Sequence, residues 1–286
     1  MPELPEVEVL ARHLAPLLKG QSIRQVEIRR ARVLRPTTEG EFNRALLGAK
    51  FVNLTRRGKY LLFALRPPPP RSPFSLLGHL GMTGRIYLQP RSAPLPRHAA
   101  VAFALGKSAL VFEDTRYFGR LTLDTRAVEK LGPEPLSAGF TVEYFSRALK
   151  RSSQPIKVKL LDQSLVAGVG NIYASEALFR AGLSPRRSAR RLGRSQVARL
   201  WRSVRAVLGE AIQFGSSVPL DWAGAGKNQN LFYYGRADGT GAPGTWEERL
   251  LVYDREDQPC SVCQTPIKRI VQAARSTFYC PRCQRS

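Results

Sequence analysis

The stretch "LGPEPLS" at Leu131–Ser137 marks the point where the hydrophobic pattern of the chain changes, and it decides the fold class. Before it, apolar residues fall in short runs separated by glycine and proline, as in antiparallel β-strands. After it they recur every three or four residues, as in helices. Strands in one half and helices in the other are typical of an α+β protein. We therefore predict an α+β multidomain fold with a boundary near residue 134.

The N-terminal part predicts a β-sandwich behind one leading helix. Apolar residues recur at helical spacing from Leu4 to Leu18, and we expect this helix to kink or end near Pro16. The runs that follow have strand character, and the last folds about Gly106-Lys107-Ser108. The proline-rich stretch Arg66–Pro73 predicts a loop. The runs are "SIRQVEIRR", "FVNLTRRGKYLLFAL", "FSLLGHLGMTGRIYL" and "AAVAFALGKSALVFEDTRYFGRLTLDT". Such a series predicts an antiparallel sandwich or barrel.

The part after residue 134 predicts helices, and in the last of them one apolar stripe is formed by Leu200, Val204, Val207 and Ala211. Between Ala177 and Gly209 there are nine arginines and no acid, which favours a phosphate-facing surface over an ordinary solvated helix face. A Gly-rich stretch follows at residues 222–246, and a long loop of this kind is either functional, here as a lid, or disordered. After it comes the predicted strand "RLLVYDRE" at Arg249–Glu256. We expect three domains: a sandwich at 1–133, a helical domain at 134–250 and a zinc finger at 251–286.

The four cysteines predict a metal site. Their spacing, C-x2-C-x16-C-x2-C, is typical of structural zinc, and the alternatives are two disulfides or a redox pair. Four thiolates leave no position for water, so we expect one structural, non-catalytic zinc ion. The ligands are Cys260, Cys263, Cys280 and Cys283. They flank a hairpin-like segment that carries Lys268, Arg269 and Arg275.

The charge balance predicts a polyanionic partner. Lys and Arg number 45 against 22 Asp and Glu, which gives a net charge of +23. Nucleic acid explains this charge best, and a highly charged soluble protein or a protein of acidic membrane surfaces are the alternatives. No apolar run reaches the roughly 18 residues of a spanning helix. Glu3, Glu6 and Glu8 replace the basic start of a signal peptide, so we expect a cytoplasmic protein.

The first residues carry candidate chemistry. Removal of Met1 leaves Pro2 with a free secondary amine, and an α-amino group with a pKa near 8 is roughly 10% unprotonated at pH 7. Such an amine adds to an aldehyde to give a cationic iminium, which serves as an electron sink. Glu3 is a candidate proton donor, and Glu6 a candidate for fixing the geometry. Acidic residues are also simply favourable in a first helical turn, and these residues alone leave both interpretations open.

Seven motifs lie in order along nearly the whole chain. They are "PELPEVE" from Pro2, "GKYLL" from Gly58, "HLGMTG" from His79, "DTRYFG" from Asp114, "LGPEPL" from Leu131, "GVGNIYASEAL" from Gly168 and the four-cysteine finger. Together they resemble the formamidopyrimidine-DNA glycosylase family of bacterial repair enzymes. The resemblance implies an N-terminal β-sandwich with a leading helix, a helix-two-turn-helix domain and a C-terminal zinc-finger hairpin.

The resemblance also implies an activity and its residues. Family members excise oxidised purines (8-oxoguanine and formamidopyrimidines) from damaged double-stranded DNA and then cleave the strand, acting as both glycosylase and abasic-site lyase. In this chain Pro2 matches the family's nucleophile, Glu3 its proton donor and Lys59 a lysine of the catalytic constellation. Arg275 matches an arginine that binds phosphate and assists the second elimination. We accordingly expect a monomeric enzyme associated with the bacterial nucleoid.

Further matches concern DNA. Met82, Arg116 and Phe118 match side chains that fill the gap left by an extruded nucleotide, although pattern alone favours core positions for Met82 and Phe118. His98, Lys157 and Asn171 match phosphate contacts, although a lone histidine such as His98 is more often structural.

Two departures from the family pattern limit the comparison. Tyr117 stands where a second basic residue is common, which puts a phosphate contact there in doubt. The segment Ser216–Glu248 is longer than the usual lesion-capping loop and differs in composition. The sequence leaves three rival functions: an endonuclease VIII-like pyrimidine glycosylase, a non-catalytic zinc-stabilised binder of damaged DNA, and an RNA or ribosome factor.

Overall fold

The computed structural model describes residues 2–217 and 249–285, with side chains as far as Gly215 in the first range. The chain forms two units, one that extends to Glu129 and one that begins at Lys130 and includes the described C-terminal residues. Within these residues, no helix is both long enough and apolar enough to cross a membrane. The expected lid lies outside the described residues, as do residues 218–248 of the segment expected to carry the lesion-capping loop.

The N-terminal unit contains two four-stranded antiparallel sheets. Its helices and strands are α1 (Leu4–Leu18), β1 (Gln25–Ile28), α2 (Glu39–Leu46), β2 (Lys50–Arg57), β3 (Tyr60–Arg66), β4 (Phe74–His79), β5 (Gly84–Pro90), β6 (Ala99–Ala104), β7 (Ser108–Asp114) and β8 (Arg120–Thr122). One sheet has the strand order β1-β6-β7-β5 and the other β2-β3-β4-β8. The predicted sandwich is confirmed, and the proline-rich stretch is the loop between β3 and β4.

The core of this unit lies between the inner faces of the sheets. Alternate residues of β3 are buried, as the period of a half-buried strand requires. Phe63 of β3 contacts Phe51 edge to face, with ring centroids 6.0 Å apart. A Cβ atom on Gly78 would lie 3.3 Å from Phe63 and 3.7 Å from Ile86 of the other sheet. The absence of a side chain at Gly78 therefore lets the two sheets approach closely at this point.

Helix α1 begins directly after Glu3 and ends at Leu18, two residues beyond the proline at which we expected a kink or an end. Pro16 lies in the last turn, where its missing N–H removes only one helical hydrogen bond. The Lys19 N–H closes the helix by donating to the Ala15 carbonyl. The buried face of α1 covers the sheet at strand β2.

The C-terminal unit is helical and ends in a hairpin. It contains α3 (Val142–Lys150), α4 (Ile156–Leu160), α5 (Asn171–Arg180), α6 (Arg194–Ser217), β9 (Lys268–Gln272) and β10 (Arg275–Tyr279). The apolar stripe expected on α6 is buried: Leu200, Val204, Val207 and Ala211. The finger hairpin β9–β10 is antiparallel and joins Gln272 to Arg275 through Ala273 and Ala274.

The predicted strand at Arg249–Glu256 is wrong, because these residues form turns and irregular backbone. The N–H groups of Leu251, Val252 and Tyr253 donate to the carboxylate of Glu176 in α5 at 2.9 Å each. The Glu176 carboxylate thus accepts the hydrogen bonds that the carbonyl groups of a neighbouring strand would otherwise accept. The run looks like a strand because its apolar residues are buried, but they pack in the core of the finger.

Candidate active site and DNA interface

The start of α1 carries the candidate nucleophile and proton donor. Glu3 is the N-cap of the helix, and its backbone is extended, so Pro2 lies just outside the first turn. The Glu3 N–H donates to Oε2 of Glu6 at 2.7 Å. The side chains of Glu3 and Glu6 are both buried. A terminal amine at Pro2 would therefore stand next to a buried carboxyl group held by the helix.

Lys59 lies in the turn between β2 and β3 and is 8% exposed. Gly58 beside it has a φ of 57°, which glycine adopts without strain. Arg56 fixes this turn to α1, because its Nε donates to Glu8 at 2.6 Å and its Nη1 to the Gly58 carbonyl at 3.0 Å. Burial raises the pKa of Glu8, but hydrogen bonds from Arg56 and Arg12 outweigh this and lower it overall. The ion pair thus fixes the helix that follows Pro2 to the turn that carries Lys59.

The three predicted gap-filling residues lie together on the surface of the N-terminal unit. Met82 and Phe118 are each 46% exposed, so the core positions that pattern alone favours are not observed. The guanidinium of Arg116 donates to the Met82 sulfur at 3.4 Å and lies 4.9 Å from the centre of the Phe118 ring. The cluster presents a thioether, a cation and a ring to solvent.

His98 and Tyr117 form a second polar group in the same unit. The Tyr117 hydroxyl lies 3.5 Å from Nδ1 of His98, and both side chains are partly buried. The guanidinium of Arg30 lies 5.3 Å from the centre of the Tyr117 ring, within the range of a cation–π contact. A positive charge is therefore present beside Tyr117, although this position itself is not basic.

In the C-terminal unit, Lys157 and Asn171 connect the helices to the finger hairpin. Lys157 is 1% exposed, and its ammonium donates to Asn171 Oδ1 and to Thr277 Oγ1, both at 2.9 Å. The amide of Asn171 donates to the Ser276 carbonyl at 2.9 Å. Arg275, next to Ser276, is exposed at the start of β10. These hydrogen bonds hold the base of the strand from which Arg275 projects.

The four cysteine sulfurs have the separations that a zinc ion requires. They all lie within 4.8 Å of one another, with Cys260 to Cys283 at 3.9 Å and Cys263 to Cys280 at 3.4 Å. Tetrahedral zinc with bonds of about 2.3 Å places its sulfurs about 3.8 Å apart, whereas a disulfide needs about 2 Å. Phe179 of α5 packs against the same core as these cysteines. The donor set fits one structural zinc ion and no disulfide.

Glu176 is a buried acid whose structural role the sequence interpretation missed. Its carboxylate is 1% exposed and accepts the three backbone N–H groups at residues 251–253 that precede the finger. The signal was an acid within the apolar run "YASEALF", since a buried acid needs partners. Those partners are main-chain groups 75 to 77 residues away, which no local pattern identifies.

Family models cover most of the chain. The formamidopyrimidine-DNA glycosylase N-terminal domain matches residues 1–121 and the H2TH domain of the same enzyme matches residues 131–219. A zinc finger found in FPG and IleRS matches residues 257–285.

Full-length relatives and solved structures agree with these models. Formamidopyrimidine-DNA glycosylase of Thermus thermophilus is 44% identical over 99% of this chain and 98% of its own length. That of Carboxydothermus hydrogenoformans is 37% identical over the whole of both chains. The crystal structure of MutM (Fpg) from T. thermophilus superimposes with a TM-score of 0.81 at 42% identity, covering 99% of this chain and 98% of that one. Lactococcus lactis Fpg in complex with N7-benzyl-Fapy-dG-containing DNA gives 0.86 at 32% identity over the whole of both chains. This chain belongs to the formamidopyrimidine-DNA glycosylase family.

Proposed function

We propose that this protein excises oxidised purines, 8-oxoguanine and formamidopyrimidines, from duplex DNA and cleaves the strand at the resulting abasic site. The protein is a DNA glycosylase of the base-excision repair type, and its finger binds one structural zinc ion. The observation that carries the proposal is the position of Pro2, one residue before the helix N-cap Glu3, whose buried carboxyl group lies beside that of Glu6 in the first turn.

The proposed reaction begins at the Pro2 nitrogen. The neutral amine attacks C1′ of the damaged nucleotide, and the base leaves with the electron pair of the C1′–N bond and takes up the proton that the Pro2 nitrogen loses. Glu3 then protonates the ring oxygen as the sugar opens. The product is an iminium between Pro2 and C1′. Loss of a C2′ proton then expels the 3′ phosphate, and a second elimination, assisted by Arg275, expels the 5′ phosphate. Lys59 completes the catalytic group, and Glu6 fixes the backbone at Glu3 through its hydrogen bond.

The proposal assigns DNA handling to both units. Duplex DNA hides the damaged base, so the nucleotide must be extruded and the gap filled. Met82, Arg116 and Phe118 fill it, and their partial exposure and mutual contacts support this role. We assign phosphate binding to His98 and to Lys157 and Asn171, which already form a hydrogen-bonded pair beside the start of β10.

We further propose a division of labour along the chain: catalysis in residues 1–133, DNA binding in 134–250 and lesion-strand contact by the finger in 251–286. The enzyme then acts as a monomer on nucleoid DNA in the bacterial cytoplasm. The bacterial origin of the full-length relatives supports the bacterial setting of this proposal. Light scattering of the purified protein, alone and with one equivalent of duplex, measures the stoichiometry.

Excision kinetics on paired duplexes test the substrate class. One duplex carries 8-oxoguanine and the other thymine glycol at the same position, and single-turnover rates are compared. We expect faster excision of 8-oxoguanine. Faster excision of thymine glycol would assign the chain to the endonuclease VIII-like activity, and binding without excision of either base would make it a non-catalytic binder. Competition binding that shows no preference for lesion-bearing duplex would favour an RNA or ribosome factor.

A further inference from the structure

Two loops of the N-terminal unit supply the three gap-filling side chains. The Met82 loop (residues 80–83) joins β4 to β5, and the Phe118 loop (residues 115–119) joins β7 to β8. We propose that Asp114 is a positioning residue that locks these two loops together, so that their side chains enter the duplex as one wedge. The inference rests on the proposed function, because it assumes that the wedge fills the gap left by an extruded nucleotide.

The carboxylate of Asp114 bonds to both loops. Asp114 ends β7 and is completely buried. Its Oδ1 accepts the Thr83 hydroxyl of the Met82 loop at 2.5 Å and the backbone N–H of Arg116 at 3.1 Å. Its Oδ2 accepts the backbone N–H of Gly119 at 2.8 Å. A buried carboxylate with three donors resists displacement, because moving any donor away leaves charge unsatisfied in the interior.

The loops also touch through their backbones. Gly81 has a φ of 61°, and a Cβ atom there would lie only 2.6 Å from the Gly119 nitrogen. A Cβ atom on Gly119 would in turn lie 2.6 Å from the Phe112 ring. His79 holds the Met82 loop from the other side by accepting the Gly81 N–H at Nδ1. Neither loop can move toward the other, and the Asp114 bonds oppose movement apart.

The Phe118 loop needs such a restraint. Tyr117 has a φ of 52°, a left-handed conformation that is costly for an aromatic residue. The N–H groups bonded to Asp114 belong to Arg116, immediately before Tyr117, and to Gly119, two residues after it. The carboxylate therefore holds the strained residue from both sides. This fixes the directions in which Arg116 and Phe118 project beside Met82.

Asp114→Asn tests this role with two substrates. Excision of 8-oxoguanine from a duplex needs the wedge, whereas strand cleavage at a preformed abasic site in single-stranded DNA needs the catalytic residues and not the wedge. Asparagine keeps the shape of the side chain but replaces one carboxylate oxygen with an NH2 group. This group is itself a hydrogen-bond donor and would face one of the donors that now bond to Asp114. We expect duplex excision to fall about 10- to 100-fold, the size of a lost charge-assisted hydrogen bond. We expect single-strand cleavage to change by less than about threefold.

Thr83 supplies a milder pair of variants that keep Asp114 intact. Thr83→Val removes the hydroxyl that joins the loops, and Thr83→Ser retains it. We expect Val to lower duplex excision about 3- to 10-fold with single-strand cleavage unchanged, and Ser to restore the parent rate.

The outcomes separate the two proposals. A parent enzyme inactive on both substrates would overturn the proposed function. An active parent with equal losses on both substrates in Thr83→Val, or equal rates for Thr83→Val and Thr83→Ser, would overturn the positioning role of Asp114, whether or not Asp114→Asn folds.

Discussion

At the scale of single residues, His79 shows how burial sets a charge state. Its imidazole accepts the Gly81 N–H at Nδ1, 3.1 Å away, so its proton is on Nε2. Burial, with added repulsion from Lys59 and Arg120, lowers the pKa of His79 to about 4. Between its ordinary pKa of 6.5 and this value, the unfolded chain binds a proton that the folded chain excludes. The free energy of unfolding must therefore decrease as the pH falls through this range.

Replacement of His79 by glutamine, which can still accept the Gly81 N–H, removes this titration. We expect the parent protein to lose about 1 to 2 kcal/mol more unfolding free energy than His79→Gln between pH 7 and pH 5. Urea titrations of both proteins at the two pH values measure the difference. Equal losses would show that His79 is protonated normally in the folded protein.

Residue types were easier to predict than residue environments. The motif around Pro2 gave the candidate chemistry, and the cysteine spacing gave the metal. The exposure of Met82 and Phe118 could not be read from pattern, because apolar residues are usually buried. The roles of Asp114 and Glu176 depend on donors that the fold brings from other segments, so no local rule singles them out.

At the scale of elements, the turn of the finger hairpin, which immediately precedes Arg275, is unusual. Ala273 and Ala274 join β9 to β10 with φ values of 47° and 57°. A two-residue hairpin turn with both φ values positive normally contains asparagine and glycine. Alanine is strained in this conformation, and the strand ladder and the zinc site hold it in place. Because Ala-Ala is not a turn signal, the sequence indicated a hairpin without locating its turn.

Ala274→Gly should therefore stabilise the protein by about 0.5 to 1 kcal/mol, because glycine adopts positive φ without a Cβ clash. The same substitution at the exposed Ala206 in the middle of α6 serves as the control and should destabilise by about 0.5 to 1 kcal/mol. Urea unfolding of the zinc-loaded proteins measures both. A loss of stability in Ala274→Gly would contradict the strained turn.

The periodicity of apolar residues predicted those helices and strands that bury one face. The sandwich strands and the stripe of α6 were predicted because alternation and helical spacing both report burial. The run at Arg249–Glu256 failed for a physical reason. Its apolar residues are buried, but its backbone donors go to Glu176 rather than to a strand, and hydrophobicity does not distinguish these cases.

At the scale of the whole molecule, zinc should support DNA binding more than catalysis. The cysteines share a small core with Val252, Ile267 and Phe278, and Arg275 projects from the hairpin of this finger. Removing the metal unfolds such a core, because its binding free energy is folding free energy.

Chelation should therefore weaken binding to lesion duplex by more than about tenfold. Borohydride trapping on a single-stranded abasic oligonucleotide should be retained, because Pro2 lies in the N-terminal unit. Fluorescence anisotropy and trapping of the same sample measure the two effects, and adding zinc back is the control. Loss of both activities with the N-terminal unit still folded would show that the finger is needed for the chemistry itself.

The central claim is that the Pro2 nitrogen bonds to C1′ of the damaged nucleotide. The most direct measurement is borohydride trapping on 8-oxoguanine duplex, followed by mass analysis of the linked peptide. Two preparations are compared, one with Met1 removed and one that retains it, with the start of each chain verified by intact mass. We expect a DNA adduct on Pro2 in the processed protein and essentially none in the protein that retains Met1. An adduct on a lysine, or equal trapping by both preparations, would contradict it.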